Sequence, residues 1–124
     1  MLTDAAAIAF VPSTDLDRSR AFYGSVLGLR LTEQTPFACV FQAGPTMLRV
    51  TKVEQLSAQP FTVLGWSVPD LRATLAGLVA AGVAVTRYDG MPQDDQGVWA
   101  TPGGDLIAWF PDPDGNNLSL TQFA

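Results

Sequence analysis

The sequence contains no histidine, and this limits every chemical reading of it. A histidine general base, a Ser-His-Asp triad and any metal site built on imidazole are excluded. The remaining reactive groups are few. Arg49 stands between Leu48 and Val50 in an apolar stretch, where a guanidinium needs an anionic partner. It either grips a carboxylate or phosphate of a ligand bidentately, or forms a structural ion pair with an acidic residue of this chain or of a second copy. Tyr88, Asp89, Asp94, Asp95 and Glu33 are the titratable groups that acid–base chemistry would have to use, and none has an evident partner. Asp94 and Asp95 are adjacent, but a hard cation needs several converging oxygens, so the pair reads as a solvated acidic loop. Cys39, the single cysteine, has no neighbour that would lower its pKa and reads as a buried, inert thiol.

A second group is aromatic. Trp99, Tyr88 and Met91 lie in or beside a long polar segment, and Trp109 alternates with the core-type Ala108 and Phe110. Such side chains either close over a flat ligand or pack within a core or a subunit interface.

The elements that must position these groups follow from periodicity and punctuation. Residues 5–12 (AAAIAFVP) read as a buried strand. Ser13, Thr14 and Asp15 offer caps for a helix whose apolar stripe is Leu16, Phe22, Tyr23, Val26 and Leu27, stopped by Gly28. Three strands follow, at 29–32, 37–42 and 47–52, with Ala43-Gly44-Pro45 as a turn and 54–60 as a linker. The pattern then begins again. Residues 62–68 read as a strand, and Pro69-Asp70 opens a helix with Leu71, Leu75, Leu78 and Val79 on one stripe. Gly82 ends that helix, and strands are expected at 83–88, 98–100, 106–110 and 118–122. Asp112-Pro113-Asp114-Gly115-Asn116 has its glycine and acids at the wrong spacing for a calcium loop and reads as a turn. Asn117-Leu118-Ser119 matches the glycosylation pattern and should be inert without a secretion signal. The chain is therefore an internal repeat of β-α-β-β-β.

Composition sets the limits. With 124 residues, 48% of them apolar, one domain with a real core is expected. Seven Lys and Arg against 12 Asp and Glu give a net charge of −5, which argues against a nucleic-acid or anionic-membrane surface. No apolar run approaches the roughly 18 residues of a membrane span. The N-terminus has no basic segment followed by an apolar one. The expected compartment is a reducing cytoplasm, which the lone cysteine also fits.

Three stretches carry a family resemblance: Asp15 through Tyr23 with Val26-Leu27-Gly28-Leu29, Val68-Pro69-Asp70-Leu71 with Ala81-Gly82-Val83, and Trp109 through Leu118 (WFPDPDGNNL). In this order, spanning almost the whole chain, they make the sequence resemble the vicinal oxygen chelate superfamily. That superfamily includes glyoxalase I, extradiol dioxygenases, fosfomycin-modifying enzymes and bleomycin-resistance proteins. The resemblance implies an α+β fold of tandem βαβββ units forming a curled sheet around a concave cleft that holds the site.

In metal-using members four positions supply ligands. Carried onto this chain they fall on Ile8 (or Ala6 in another register), Val63, Arg49 and Ser119, none of which suits a divalent metal. No metal and no cofactor are therefore expected, and glyoxalase I or dioxygenase chemistry should be absent. Strand alternation puts Ile8 and Phe10, Met47, Arg49 and Thr51, Gly65 and Ser67 with Val63, and Ser119 and Thr121 on the cleft side. Leu64, Trp66 and Val68 fall under the helix.

The resulting expectation is one domain over 1–124, with a first βαβββ unit at 5–56 and a second at 61–124. It is a metal-independent small-molecule binding protein of the glyoxalase/bleomycin-resistance type, sequestering a drug or metabolite. The alternative is a lyase or isomerase of the same fold. No catalytic residue is assigned. The expected ligand contacts are Arg49, Trp99, Trp109, Phe10, Met47, Ser119 and Tyr88. The expected partners are a small organic molecule and a second copy in a homodimer, with neither nucleic acid nor membrane.

Overall fold

Both repeats open on the same device. Asp15 caps the first helix by accepting the Arg18 N–H at 3.0 Å, and Asp70 caps the second by accepting that of Ala73 at 3.1 Å. Each carboxylate satisfies a helix donor that would otherwise have no partner. The computed structural model describes all residues, 1–124. They divide into two units, Met1–Ser57 and Ala58–Ala124. Each is a βαβββ repeat, so the architecture is the α+β fold the sequence predicts. No helix is long and apolar enough to cross a membrane.

The first unit holds β1 (Ile8–Ser13), α1 (Leu16–Arg20), β2 (Arg30–Gln34), β3 (Ala38–Ala43) and β4 (Thr46–Lys52). Its sheet runs β1-β4-β3-β2, with β1 and β4 parallel and the other pairs antiparallel. The expected single α-helical stripe from Leu16 to Leu27 is not formed. After Arg20 the chain widens into a π-helical segment, Ala21–Val26, in which Leu27 N–H reaches back five residues to Phe22 O at 2.9 Å. The widened turn buries Tyr23 completely, edge-on to Phe22 and 6.0 Å from the Phe41 ring. It packs with Val11, Leu48, Val50 and Phe41 into the core. The apolar stripe also hides a polar pair. Ser13 and Ser19 are buried and share a hydrogen bond of 2.6 Å between their hydroxyls. Phe37, expected to begin β3, is exposed. Its N–H and that of Ala38 go to Thr35 Oγ1, which turns the chain just before the strand.

The second unit holds β5 (Thr62–Ser67), α2 (Leu71–Ala80), β6 (Trp99–Ala100), β7 (Leu106–Pro111) and β8 (Asn117–Gln122), in the sheet order β5-β8-β7-β6. Leu71, Leu75 and Leu78 are the buried stripe of α2, contributing about 1.5–3 kcal/mol each. Val79 lies a hundred degrees round from Leu78 and is exposed. Beneath the helix lie Ala108, Phe110, Leu118 and Leu120, and half-buried Trp66 stacks on Phe110 at 6.4 Å. The 112–116 turn is held from within. Asp112 Oδ1 accepts the Asp114 and Asn116 N–H groups, and Gly115 takes the left-handed conformation at φ 84°.

One expected strand is absent. Residues 83–88 make only an isolated bridge, Thr86 to Trp109. The edge of β7 is instead shared, with Trp99 and Ala100 pairing to Ile107 and Leu106. The segment at 89–98 carries the chain away from the edge and returns it, so neither piece can run the full length of β7.

Candidate functional site

The split edge leaves room for a site. Where residues 83–88 leave the sheet, Gln93 takes over the lost backbone pairing. Its Nε2 donates to Thr86 O at 2.9 Å and to Gly97 O at 2.8 Å, and its Oε1 accepts the Tyr88 N–H at 2.8 Å. Farther along, Asp94 Oδ1 accepts the Gln96 and Val98 N–H groups, and Oδ2 accepts from Arg72 of α2 at 2.8 Å. Burial alone would raise the Asp94 carboxyl. The Val98 N–H, the Arg72 guanidinium and the Gln96 N–H outweigh it and hold the pKa below its ordinary value. The acidic loop is thus a structural staple, and Asp94 is committed to it.

Beside this segment lies a cavity of about 590 Å³, widely open to solvent, a volume suited to a small organic molecule. Its apolar walls include Phe61, Tyr88, Met91, Trp99 and Trp109. The Trp99 and Trp109 rings are near-parallel, 6.3 Å apart at 23°. Tyr88 meets Trp109 edge-on at 5.3 Å and 89°. Its polar lining includes Thr62, Asp89 and Asn117. Trp109 Nε1 donates to Thr62 Oγ1 at 3.2 Å, and Asn117 Nδ2 donates to Tyr88 Oη at 2.8 Å.

Thr62 reaches this position through a β-bulge. It pairs with Asn117, while Leu64 pairs with Leu118, so Val63 is the extra residue. In the first repeat Ile8 pairs with Met47, two residues before Arg49. Thr62 pairs two residues before Ser119. The counterpart of Ile8 is therefore Thr62, and the carry-over onto Val63 is corrected by one residue. Gly65 is equally constrained, because a Cβ there would come within 2.6 Å of Ser119 Oγ.

The seven expected contact residues fall into two groups. Tyr88, Trp99 and Trp109 share the cavity. Ser119 is the register partner of Trp109 but is only 7% exposed and lies outside the lining. Asn117, two residues earlier on the same strand face, takes that place. The other group is in the first unit, where Phe10, Met47 and Arg49 share the sheet face opposite the helix. Phe10 and Arg49 are register partners. Arg49 is half-buried, and its guanidinium has no hydrogen bond or ion pair within the chain. The structural ion pair expected from the sequence, with an acid of this chain or of a second copy, is not formed within this chain. Cys39 is fully buried beside Leu16 O, and burial pushes its thiol pKa up.

The metal positions implied by the resemblance do not fit a divalent ion. Ile8, Arg49, Ser119 and either Val63 or Thr62 supply no carboxylate, imidazole or thiolate. No group of three His, Cys, Asp or Glu residues that could hold a metal converges anywhere in the structure.

Sequence reasoning missed Thr62, Asn117 and Gln93. A bulge has no composition signal at Val63, so strict alternation put the wrong residue on the open face. Gln93 read as one more polar loop residue. Its role is visible only once Thr86, Tyr88 and Gly97 are brought around it.

The profile of the Glyoxalase/Bleomycin resistance protein/Dioxygenase superfamily matches residues 6–120. Three solved structures illustrate the shared fold. Lactoylglutathione lyase from Agrobacterium tumefaciens superposes with a TM-score of 0.77 at 19% identity, over 98% of this chain and 96% of that one. The bleomycin resistance determinant encoded on transposon Tn5 gives 0.73 at 24% identity, over 94% and 96%. A superfamily member from Sphaerobacter thermophilus gives 0.74 at 17%, over 98% and 99%. Identities this low speak for the fold alone. No protein of curated function matches the chain significantly.

Proposed function

We propose, for a chain that belongs to the Glyoxalase/Bleomycin resistance protein/Dioxygenase superfamily, a metal-independent role: it binds and sequesters a small, flat, largely apolar organic molecule. The observation that carries this reading is the Tyr88–Trp109–Trp99 array walling one cavity of about 590 Å³. Rigid aromatic faces offer a flat ligand large contact area at low entropic cost. The resemblance of the fold to a bleomycin resistance determinant is in keeping with sequestration. Phe10, Met47 and Arg49 lie on the face proposed below for a second copy, and the unpaired guanidinium would take an anionic group from outside the chain at that interface.

The test is a thermal-shift titration of EDTA-dialysed protein with naphthalene and with N-methylphthalimide. At least one should raise the melting temperature, and the Trp99→Ala variant should lose most of the shift. The reading fails if neither shifts the wild type at its highest soluble concentration, or if binding appears only on adding zinc, iron or manganese.

A homodimer is part of the same proposal. Phe10, Ile8 and Met47 are 60%, 48% and 39% exposed on one sheet face, and a contiguous exposed apolar surface favours burial against a second copy. Light scattering should return twice the chain mass, and the Phe10→Glu variant the monomer. A second reading, a lyase or isomerase, is supported by the Tyr88 hydroxyl and the Asp89 carboxyl lining the same cavity. It requires turnover that survives chelation and is lost in Tyr88→Phe.

A further inference from the structure

We infer that the aromatic cavity selects planar molecules bearing carbonyl-type hydrogen-bond acceptors and discriminates against carboxylates, an inference that rests on the binding role proposed above. The reason is the polarity of its two hydroxyls. A hydroxyl offers one donor and two acceptor sites. Tyr88 Oη already accepts from Asn117 Nδ2 at 2.8 Å, and Thr62 Oγ1 already accepts from Trp109 Nε1 at 3.2 Å. Neither hydroxyl donates to any group of the chain. Both O–H protons are therefore left to be given to whatever enters the cavity.

The two hydroxyls are also held together. Thr62 and Asn117 are register partners on β5 and β8, and Tyr88 is edge-on to the indole whose N–H engages Thr62. A flat molecule against the Trp109 side of the cavity thus meets donors from the chain, and its acceptor atoms satisfy them. Asp89 is the one carboxylate in the lining and is exposed. Its charge opposes a ligand carboxylate, while no cation lines this cavity to offset it.

The test uses three neutral or anionic probes, naphthalene, N-methylphthalimide and phthalate, titrated into the purified protein with tryptophan fluorescence as readout. Naphthalene reports the aromatic walls alone. N-methylphthalimide adds two carbonyl acceptors, and phthalate replaces them with charge. The Tyr88→Phe and Thr62→Val variants should each weaken N-methylphthalimide about tenfold more than they weaken naphthalene, the scale of one lost hydrogen bond. Naphthalene binding also reports that each variant is folded. Phthalate should bind the wild type more weakly than N-methylphthalimide. The Asn117→Asp variant is the sharpest check. A carboxylate at 117 becomes an acceptor for Tyr88, turns its O–H back into the chain, and should weaken N-methylphthalimide as Tyr88→Phe does. If all three variants leave N-methylphthalimide within twofold of wild type, or if phthalate binds as well as the imide, the selectivity inference is overturned while naphthalene binding preserves the broader reading. Failure of both naphthalene and N-methylphthalimide to bind the wild type removes the broader reading and this inference with it.

Discussion

Trp109 gives its indole N–H to Thr62 Oγ1 across 3.2 Å, and the bulge at Val63 makes that meeting possible. Without the bulge, strict alternation would put Val63 on the open face and turn Thr62 away from it. The second repeat thereby acquires a polar group at the position where the first carries Ile8. The two units share a topology, yet one sheet face carries Ile8, Phe10 and Met47 with a free guanidinium, and the other carries an aromatic array with two hydroxyls. Such divergence needs no change in the backbone plan, only one bulge and one ten-residue excursion.

The excursion depends on Gln93. Replacing it with alanine removes three hydrogen bonds and leaves Thr86 O, Gly97 O and Tyr88 N to find other partners. Urea denaturation of Gln93→Ala should show a loss of about 1–3 kcal/mol. A loss under about 0.5 kcal/mol would mean that the loop is held by something else.

Gly97 closes the same loop. Its φ is +84°, and a Cβ would lie 2.4 Å from Val85 Cγ1, so Gly97→Ala suffers both backbone strain and a clash. It should cost more than about 1 kcal/mol. The double variant Gly97→Ala/Val85→Ala should recover the clash but not the strain, relative to Val85→Ala alone. A double-mutant cycle with no coupling would contradict the contact.

Asp94 makes the stability pH-dependent. Its folded pKa is held below the ordinary 3.8, so the charged carboxylate stabilises the fold fully above that value, and the contribution is lost as the pH falls through the folded pKa. The gap in melting temperature between wild type and Asp94→Asn should therefore be open at pH 7 and close as the medium is acidified below about 3.8. A gap that widens on acidification would reverse the assigned sign.

Arg49→Met should leave stability unchanged within about 1 kcal/mol, or raise it, because no acceptor in this chain is orphaned when the guanidinium goes. Breaking a buried ion pair would instead cost about 3–5 kcal/mol. Chemical denaturation of the two proteins under conditions where both are monomeric separates these cases.

The local chemistry of this chain was legible in its residues. Asp15 and Asp70 cap helices, Asp112 to Asn116 make a turn, and apolar alternation marks Ala108 and Phe110 as core, because each of these depends on neighbours within a few positions. The repeat itself could be read from the recurrence of those signals, and so could the absence of metal-ligand side chains at the positions the resemblance names. The tertiary structure decided the rest. Widening of the first helix, splitting of the edge beside β7, the bulge that exchanges Val63 for Thr62, and the clasp of Gln93 on Thr86 and Gly97 all concern how distant backbone groups find partners. A buried N–H or C=O must be satisfied by whatever the fold brings near, and that choice is made between elements, where a one-dimensional pattern carries no signal. For the same reason Arg49 could be recognised as a charge in an apolar stretch, while its lack of any partner in the chain emerged only when every acidic side chain had a place.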